Sequence, residues 1–301
     1  MSASRVADEL KRRHPLQRLN APGKGTSGAT HVVGLISFYH SFKFLVDNPN
    51  IINDSFGWHL QYLTILGLSI STTCFSIGLL ADMTASQQLF TLKNYLALVA
   101  APIEIIISML YWGLRAIDQE LVIPPDLPTP PIMADLGFHL FPTLLLSLDA
   151  LFLSPPWPTS PMNPRASALS LMTSTFIAFL YWFWIELCYS HNGISSLVFP
   201  LNRLSLAHLW LLANVLPQSA MHLSHPPPPG VPSMDFKPLT PKEFYPYPIF
   251  ALLNTTQRIG LFALSGVAMW AAGAGLRWCY RVVNGIERDN VTVRGEDGKA
   301  K

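Results

Sequence analysis

Long apolar runs decide what this chain can become. A helix needs roughly 17–25 predominantly apolar residues to cross a bilayer. Six stretches meet that length, near 31–47, 57–80, 94–114, 136–154, 166–187 and 258–280. The first is the weakest, because His40 and Lys43 interrupt it. A seventh patch, LSLAHLWLLANVL at 204–216, is too short to span and reads as an interfacial or loop-packed helix. Only 13% of the residues are charged, against about 25% in soluble domains, so the chain lacks the polar surface that water requires. The expected fold class is all-α, a polytopic membrane bundle of six transmembrane helices.

Lys and Arg mark the cytosolic side of a membrane protein. With the N-terminus in the cytosol, fourteen fall on that side, including Lys93 and Arg165, and five on the other. Both termini are therefore expected to be cytosolic. No short apolar core with a cleavage site stands at the start, so residues 1–30 read as a basic cytosolic tail rather than a signal peptide. The transmembrane domain is expected over 31–283, with a Pro-rich lumenal insertion at about 199–244, and a second cytosolic tail follows at 284–301. A net charge of +2 gives no reason to expect a nucleic-acid partner.

Polar groups inside a span are costly and are functional candidates for that reason. His139 enters the fourth span from the lumenal side, and Thr64 enters the second from the same side. Gln61, Thr64, Gly67, Ser71, Cys74 and Gly78 share one helix face, as do Asp135, His139, Thr143 and Ser147. These two faces are expected to meet inside the bundle, since small residues let helices approach closely in lipid. A hydroxyl beside a neutral imidazole is the pairing that nucleophilic acyl transfer needs. Asp135, four residues before His139, is placed to orient the ring, and Gln61, one turn from Thr64, is a candidate oxyanion donor. Arg258 is placed to hold a substrate carboxylate in bidentate fashion, and Glu186 ends the fifth span on the same side. Glu104 reads as a helix–helix contact, and Asp149 lies too far along its helix to partner His139. The pattern alone also fits a plainer account. A threonine in lipid more often bonds back to the carbonyl a turn earlier, and a histidine more often joins two helices.

Other chemistries fit less well. The nine histidines are scattered, and only His222 and His225 form a close pair, beside a Pro-rich loop. That is too few clustered ligands for a metal oxidase. Three cysteines show no metal or disulfide spacing, and no G-x-S-x-G elbow or zincin box is present. No metal and no cofactor is expected.

Taken in order, QYLTIL around Thr64, YWGLRAIDQELVIPP at 111–125, LGFHLFP around His139 and YPYPIFALLNTTQRIGLF at 245–262 resemble the androgen-induced gene 1 family of six-span membrane proteins. The resemblance covers roughly 31–190 and 245–283. It departs in the long N-tail, in the stretch near 199–244, and at Leu136, where a second histidine is expected in animal relatives. The resemblance implies a cofactor-independent threonine hydrolase of fatty acid esters of hydroxy fatty acids. It carries Thr64 over as nucleophile and His139 as general base. The implied partner is a lipid ester, and the implied location is the endoplasmic reticulum membrane, with the plasma membrane as the alternative. A non-enzymatic lipid transporter or regulatory scaffold of the same fold is the rival reading, in which both residues only pack helices.

Overall fold

The structure, a computed structural model, describes residues 25–123, 128–154, 166–194 and 245–283. Among these residues the chain is helical, with no strand. The helices are α1 (Thr26–Asp47), α2 (Leu63–Thr84), α3 (Gln87–Ile117), α4 (Ile132–His139), α5 (Phe141–Leu148), α6 (Ala166–Ile194), the single turn α7 (Ile249–Leu252) and α8 (Thr255–Val283). Helix α2 packs between α1 and α3, α8 packs on α3 and α6, and the α4–α5 pair lies against α1 and α3.

Helices α2, α3, α6 and α8 are long and apolar enough to cross a membrane, and α4 with Phe141–Leu153, bent by 42°, makes a fifth if the pair counts as one span. The bend has a local cause. Leu140 leaves helical geometry at φ −130°, ψ −49°, and Pro142 has no N–H to give to the turn before it. Helix α1 has the length, at 22 residues, but is not among those apolar enough to span. Its polar residues turn inward. Ser27, His31 and Ser41 are buried with Gly34 and Phe38, while Val33, Ile36 and Tyr39 face out. Gly34 permits this packing, since a Cβ there would lie 2.3 Å from the ring of Phe75. Large apolar side chains such as Met83, Met109, Phe176 and Leu264 cover the outside of the bundle. Such a surface suits lipid and would be an aggregation hazard in water.

Three expectations change. The second span begins at Leu63 rather than near residue 57. Gly57 sits at φ +88° and Trp58 at φ +48°, and a 3₁₀ turn over Trp58–Gln61 precedes the helix. Lys93 is not a loop cation. It lies inside α3, fully buried and ion-paired with Asp149. The expected insertion at 199–244, its 204–216 patch and almost all of both expected tails lie outside the described residues.

The buried polar groups gather at two ends of the bundle. At one end His31 Nδ1 meets Asp82 Oδ2 at 2.7 Å, and Ser27 donates to the same oxygen at 3.0 Å. Beside them Lys93 pairs with Asp149 and donates to Ser154 at 3.0 Å. His31 Nε2 lies 3.4 Å from Asp149. The other end holds Thr64 and His139. Between the two, Ser71 donates to Glu104 at 2.9 Å, which makes Glu104 the helix–helix contact expected of it.

Candidate functional site

Thr64 is the second residue of α2, which Tyr62 opens as N-cap. Further along the helix Ser69, Ser71, Thr72 and Thr73 each donate to the carbonyl four residues back. Thr64 makes no such bond among the described residues, because residue 60 belongs to the 3₁₀ turn and not to the helix. Its Oγ1 lies instead 3.4 Å from the hydroxyl of Tyr247. The plain account of a membrane threonine therefore does not describe Thr64.

Gln61 departs from the role expected of it. Its amide nitrogen donates to Ser55 Oγ at 2.6 Å and to the Trp58 carbonyl at 2.9 Å. Its Oε1 accepts from Asn192 at 3.1 Å. The side chain is fully buried and has no proton left for an oxyanion. It fastens the turn before α2 to α6. Tyr181 adds to this joint, donating to the Gln61 carbonyl at 2.8 Å and accepting the Leu63 N–H at 3.1 Å.

His139 is the last residue of α4. Its Nδ1 faces Asp135 Oδ1 at 2.9 Å, and the Asp135 carbonyl oxygen is 3.2 Å away. With Nδ1–H donating to the carboxylate, Nε2 is left as an acceptor, and it has no hydrogen-bond partner among the described residues. The ring lies flat on Tyr111, with centroids 3.4 Å apart and 4° between planes. Asp135 is fully buried and also pairs with Arg115, whose guanidinium donates to the Tyr111 hydroxyl at 3.0 Å. Asp135, expected to orient the ring, thus holds the imidazole, with both carboxylate oxygens engaged by His139 and Arg115.

Two cavities meet at Thr64. The smaller, about 170 Å³, is walled by Ile103, Ile107, Ala178, Phe262 and Met269. The larger, about 570 Å³, is walled by Asn48, Asn50, His59, Tyr62 and His139 among others. Thr64, Tyr111, Val122 and Tyr247 line both. The structure thus brings Thr64 and His139 to one cavity wall, without a hydrogen bond between them.

Arg258 and Glu186 lie elsewhere. Arg258 Nε is 3.1 Å from Glu186 Oε1, and its NH1 donates to Tyr245 at 2.6 Å and to the Phe250 carbonyl at 3.3 Å. Tyr245 in turn donates to Glu186 at 3.1 Å. A guanidinium held on these sides has no free fork for a substrate carboxylate, and neither residue lines either of the two cavities at Thr64. Arg258, expected to hold a substrate carboxylate, faces the Glu186 carboxylate instead.

Sequence reasoning missed Tyr247 and His59. Burial raises the Tyr247 phenol above its ordinary pKa. Burial pushes His59 down to about 4, so it is neutral near pH 7. Only the proline pair around Tyr247 hinted at a fixed aromatic. Among the described residues, no group of three or more His, Cys, Asp or Glu could hold a metal ion.

The profile of FAR-17a/AIG1-like proteins matches residues 27–212. A UPF0641 membrane protein of Schizosaccharomyces pombe is 37% identical over 164 residues, which is 54% of this chain and 71% of that protein. No solved structure matches the chain.

Proposed function

The chain belongs to the FAR-17a/AIG1-like family, and from that premise we propose an integral membrane hydrolase of fatty acid esters of hydroxy fatty acids. Thr64 is the nucleophile and His139 the general base. One observation carries this reading. Thr64, free of its own helix, and His139, with Asp135 on Nδ1 and Nε2 unpartnered, face the same cavity.

The chemistry follows from these positions. His139 Nε2 takes the Thr64 proton as Oγ1 attacks the ester carbonyl. The tetrahedral intermediate collapses, His139 returns the proton to the departing alkoxide, and the hydroxy fatty acid leaves. Water then attacks the acyl-threonine by the same base and frees the second acid. Asp135, itself held by Arg115, keeps the imidazole in the tautomer that this sequence requires. The reaction needs no cofactor. The two cavities support a branched substrate, with one chain among Ile103, Ile107 and Met269 and the other beside Tyr62 and Phe138. The endoplasmic reticulum is the proposed membrane, as the ordinary place for handling lipid esters.

An alkyl fluorophosphonate on the purified protein tests the assignment. The expected result is an adduct at Thr64 that forms in wild type and is lost in His139→Ala. No adduct on folded wild type would favour a transporter or scaffold.

A further inference from the structure

We propose that Tyr247 is a catalytic residue of this site, donating the hydrogen bond that stabilises the carbonyl oxygen as Thr64 attacks. Arg258, Glu186 and Tyr245 are its positioning residues. The proposal rests on the reading of Thr64 as nucleophile.

The expected donor, Gln61, is occupied elsewhere, which leaves the site to be completed by another group. Among the described residues the hydrogen-bond partner of Thr64 Oγ1 is Tyr247. Tyr247 lines both cavities, as Thr64 does. A hydroxyl has one proton and two lone pairs. Accepting from Thr64 on one lone pair leaves the Tyr247 proton for an acceptor in the cavities that both residues line. A donor is useful when it lies about 2.7–3.1 Å from where the oxyanion forms. A phenol 3.4 Å from the nucleophilic oxygen stands beside that place.

The ring is held in position. Tyr62 and Phe250 meet it edge-on, at 5.4 and 5.7 Å between centroids, and Pro246 and Pro248 restrict the backbone on either side. Two residues earlier, Tyr245 is bound by Arg258 and Glu186 and stacks on Tyr189 at 4.1 Å. Glu186 belongs to α6 and Arg258 to α8, so the cluster fixes the segment bearing Tyr247 to both helices.

Electrons and protons balance in the step. The Oγ1 lone pair forms the bond to the carbonyl carbon while the Thr64 proton moves to His139 Nε2. The carbonyl π pair moves onto oxygen, which accepts the bond from Tyr247. On collapse that pair re-forms the carbonyl, the ester C–O bond breaks, and the leaving oxygen takes the proton from His139. Tyr247 keeps its proton throughout.

The test measures hydrolysis of p-nitrophenyl palmitate by wild type, Thr64→Ala and Tyr247→Phe in detergent. Tyr247→Phe is expected to lower kcat about 10²–10³-fold with KM little changed. If Thr64→Ala is inactive and Tyr247→Phe keeps wild-type kcat, the role of Tyr247 is overturned while Thr64 stands. If Thr64→Ala keeps activity, or wild type has none, the nucleophile assignment falls and this proposal with it. Should Tyr247→Phe not fold, 3,5-difluorotyrosine at position 247 keeps the packing and lowers the phenol pKa. It should then bring a loss of kcat toward alkaline pH that wild type lacks, and an unchanged profile would overturn the proposal. Arg258→Lys should lower kcat about tenfold for an acidic lipid ester and its methyl ester alike. A rise in KM confined to the acidic ester would restore Arg258 as a carboxylate site and overturn its positioning role.

Discussion

The two polar ends of the bundle are built from similar residues but finished differently. At the His31 end, two carboxylates face an ammonium and an imidazole, with Ser27 and Ser154 filling gaps. These groups are buried and none lines either of the two cavities at Thr64. At the Thr64 end, Asp135, Arg115 and Tyr111 close around one nitrogen of His139 and leave the other open. Polarity inside a membrane protein therefore does not by itself mark a reactive site. The mark is a polar group with a valence left over and a cavity in front of it. The first end is a fastening between helices, and the second is the proposed site.

The largest effects should separate the two ends most sharply. Thr64→Ala and His139→Ala should each cut turnover about 10²–10⁴-fold, and the double variant should be little worse than either single one, because the pair acts as a unit. Thr64→Ser should retain part of the activity. Steady-state kinetics on the folded proteins checks this, and near wild-type hydrolysis by His139→Ala would remove the distinction between the ends.

Lys93→Met should do the reverse. Removing one partner of a buried ion pair costs about 3–5 kcal/mol, because the other charge is left uncompensated. Thermal unfolding in detergent should show that loss, while the folded fraction keeps its kcat. Lys93→Met with Asp149→Leu should recover much of the stability. Turnover lost beyond the loss of folded protein would make the His31 end part of the catalytic apparatus.

Asp135→Asn sharpens the account of the open end. It weakens a charge-assisted bond of about 1.5–3 kcal/mol, so kcat should fall about 10–100-fold with KM unchanged. Gln61→Leu, close to Thr64 in sequence, should act as a fastening residue does. It removes one hydrogen bond each from Ser55, Asn192 and the Trp58 carbonyl, for a loss of about 1–3 kcal/mol in stability and none in kcat per folded molecule. Finally, His59 is depressed to about 4 from its ordinary 6.5, so the unfolded chain binds the extra proton below neutrality. Its contribution is present near pH 7 and is lost as pH falls, by about 2 kcal/mol at pH 5. His59→Gln should flatten the pH dependence of unfolding by that amount, and an equal slope in both proteins would show that His59 titrates normally.

The parts of this arrangement legible in the sequence are the local ones. Apolar runs mark α2, α3, α6 and α8, because span length is a property of contiguous residues. Asp135 and His139 lie four apart on one helix, so their contact follows from helical spacing alone. Gln61 was misread for a related reason. Treating it as one turn from Thr64 assumes a helix through both, and the left-handed Gly57 and the 3₁₀ turn start the helix only at Leu63. The pairing of Arg258 with Glu186 joins different helices, and the meeting of Thr64 with Tyr247 spans 183 residues. No spacing rule reaches that far.

The break at Leu140 has a consequence in charge. A helix carries about half a positive charge at its start and half a negative charge at its end. Thr64 lies in the first turn of α2, and His139 is the last residue of α4. In the proposed reaction, negative charge grows on the oxygen beside Thr64 and positive charge on His139, so each meets a helix end of opposite sign. Each encounter contributes at most about 0.3–1 kcal/mol, and at His139 the positive start of α5 at Phe141 offsets part of it. Were α4 continuous to Leu153, its negative end would lie about 20 Å farther on, and the imidazolium would form against a helix middle that offers it nothing.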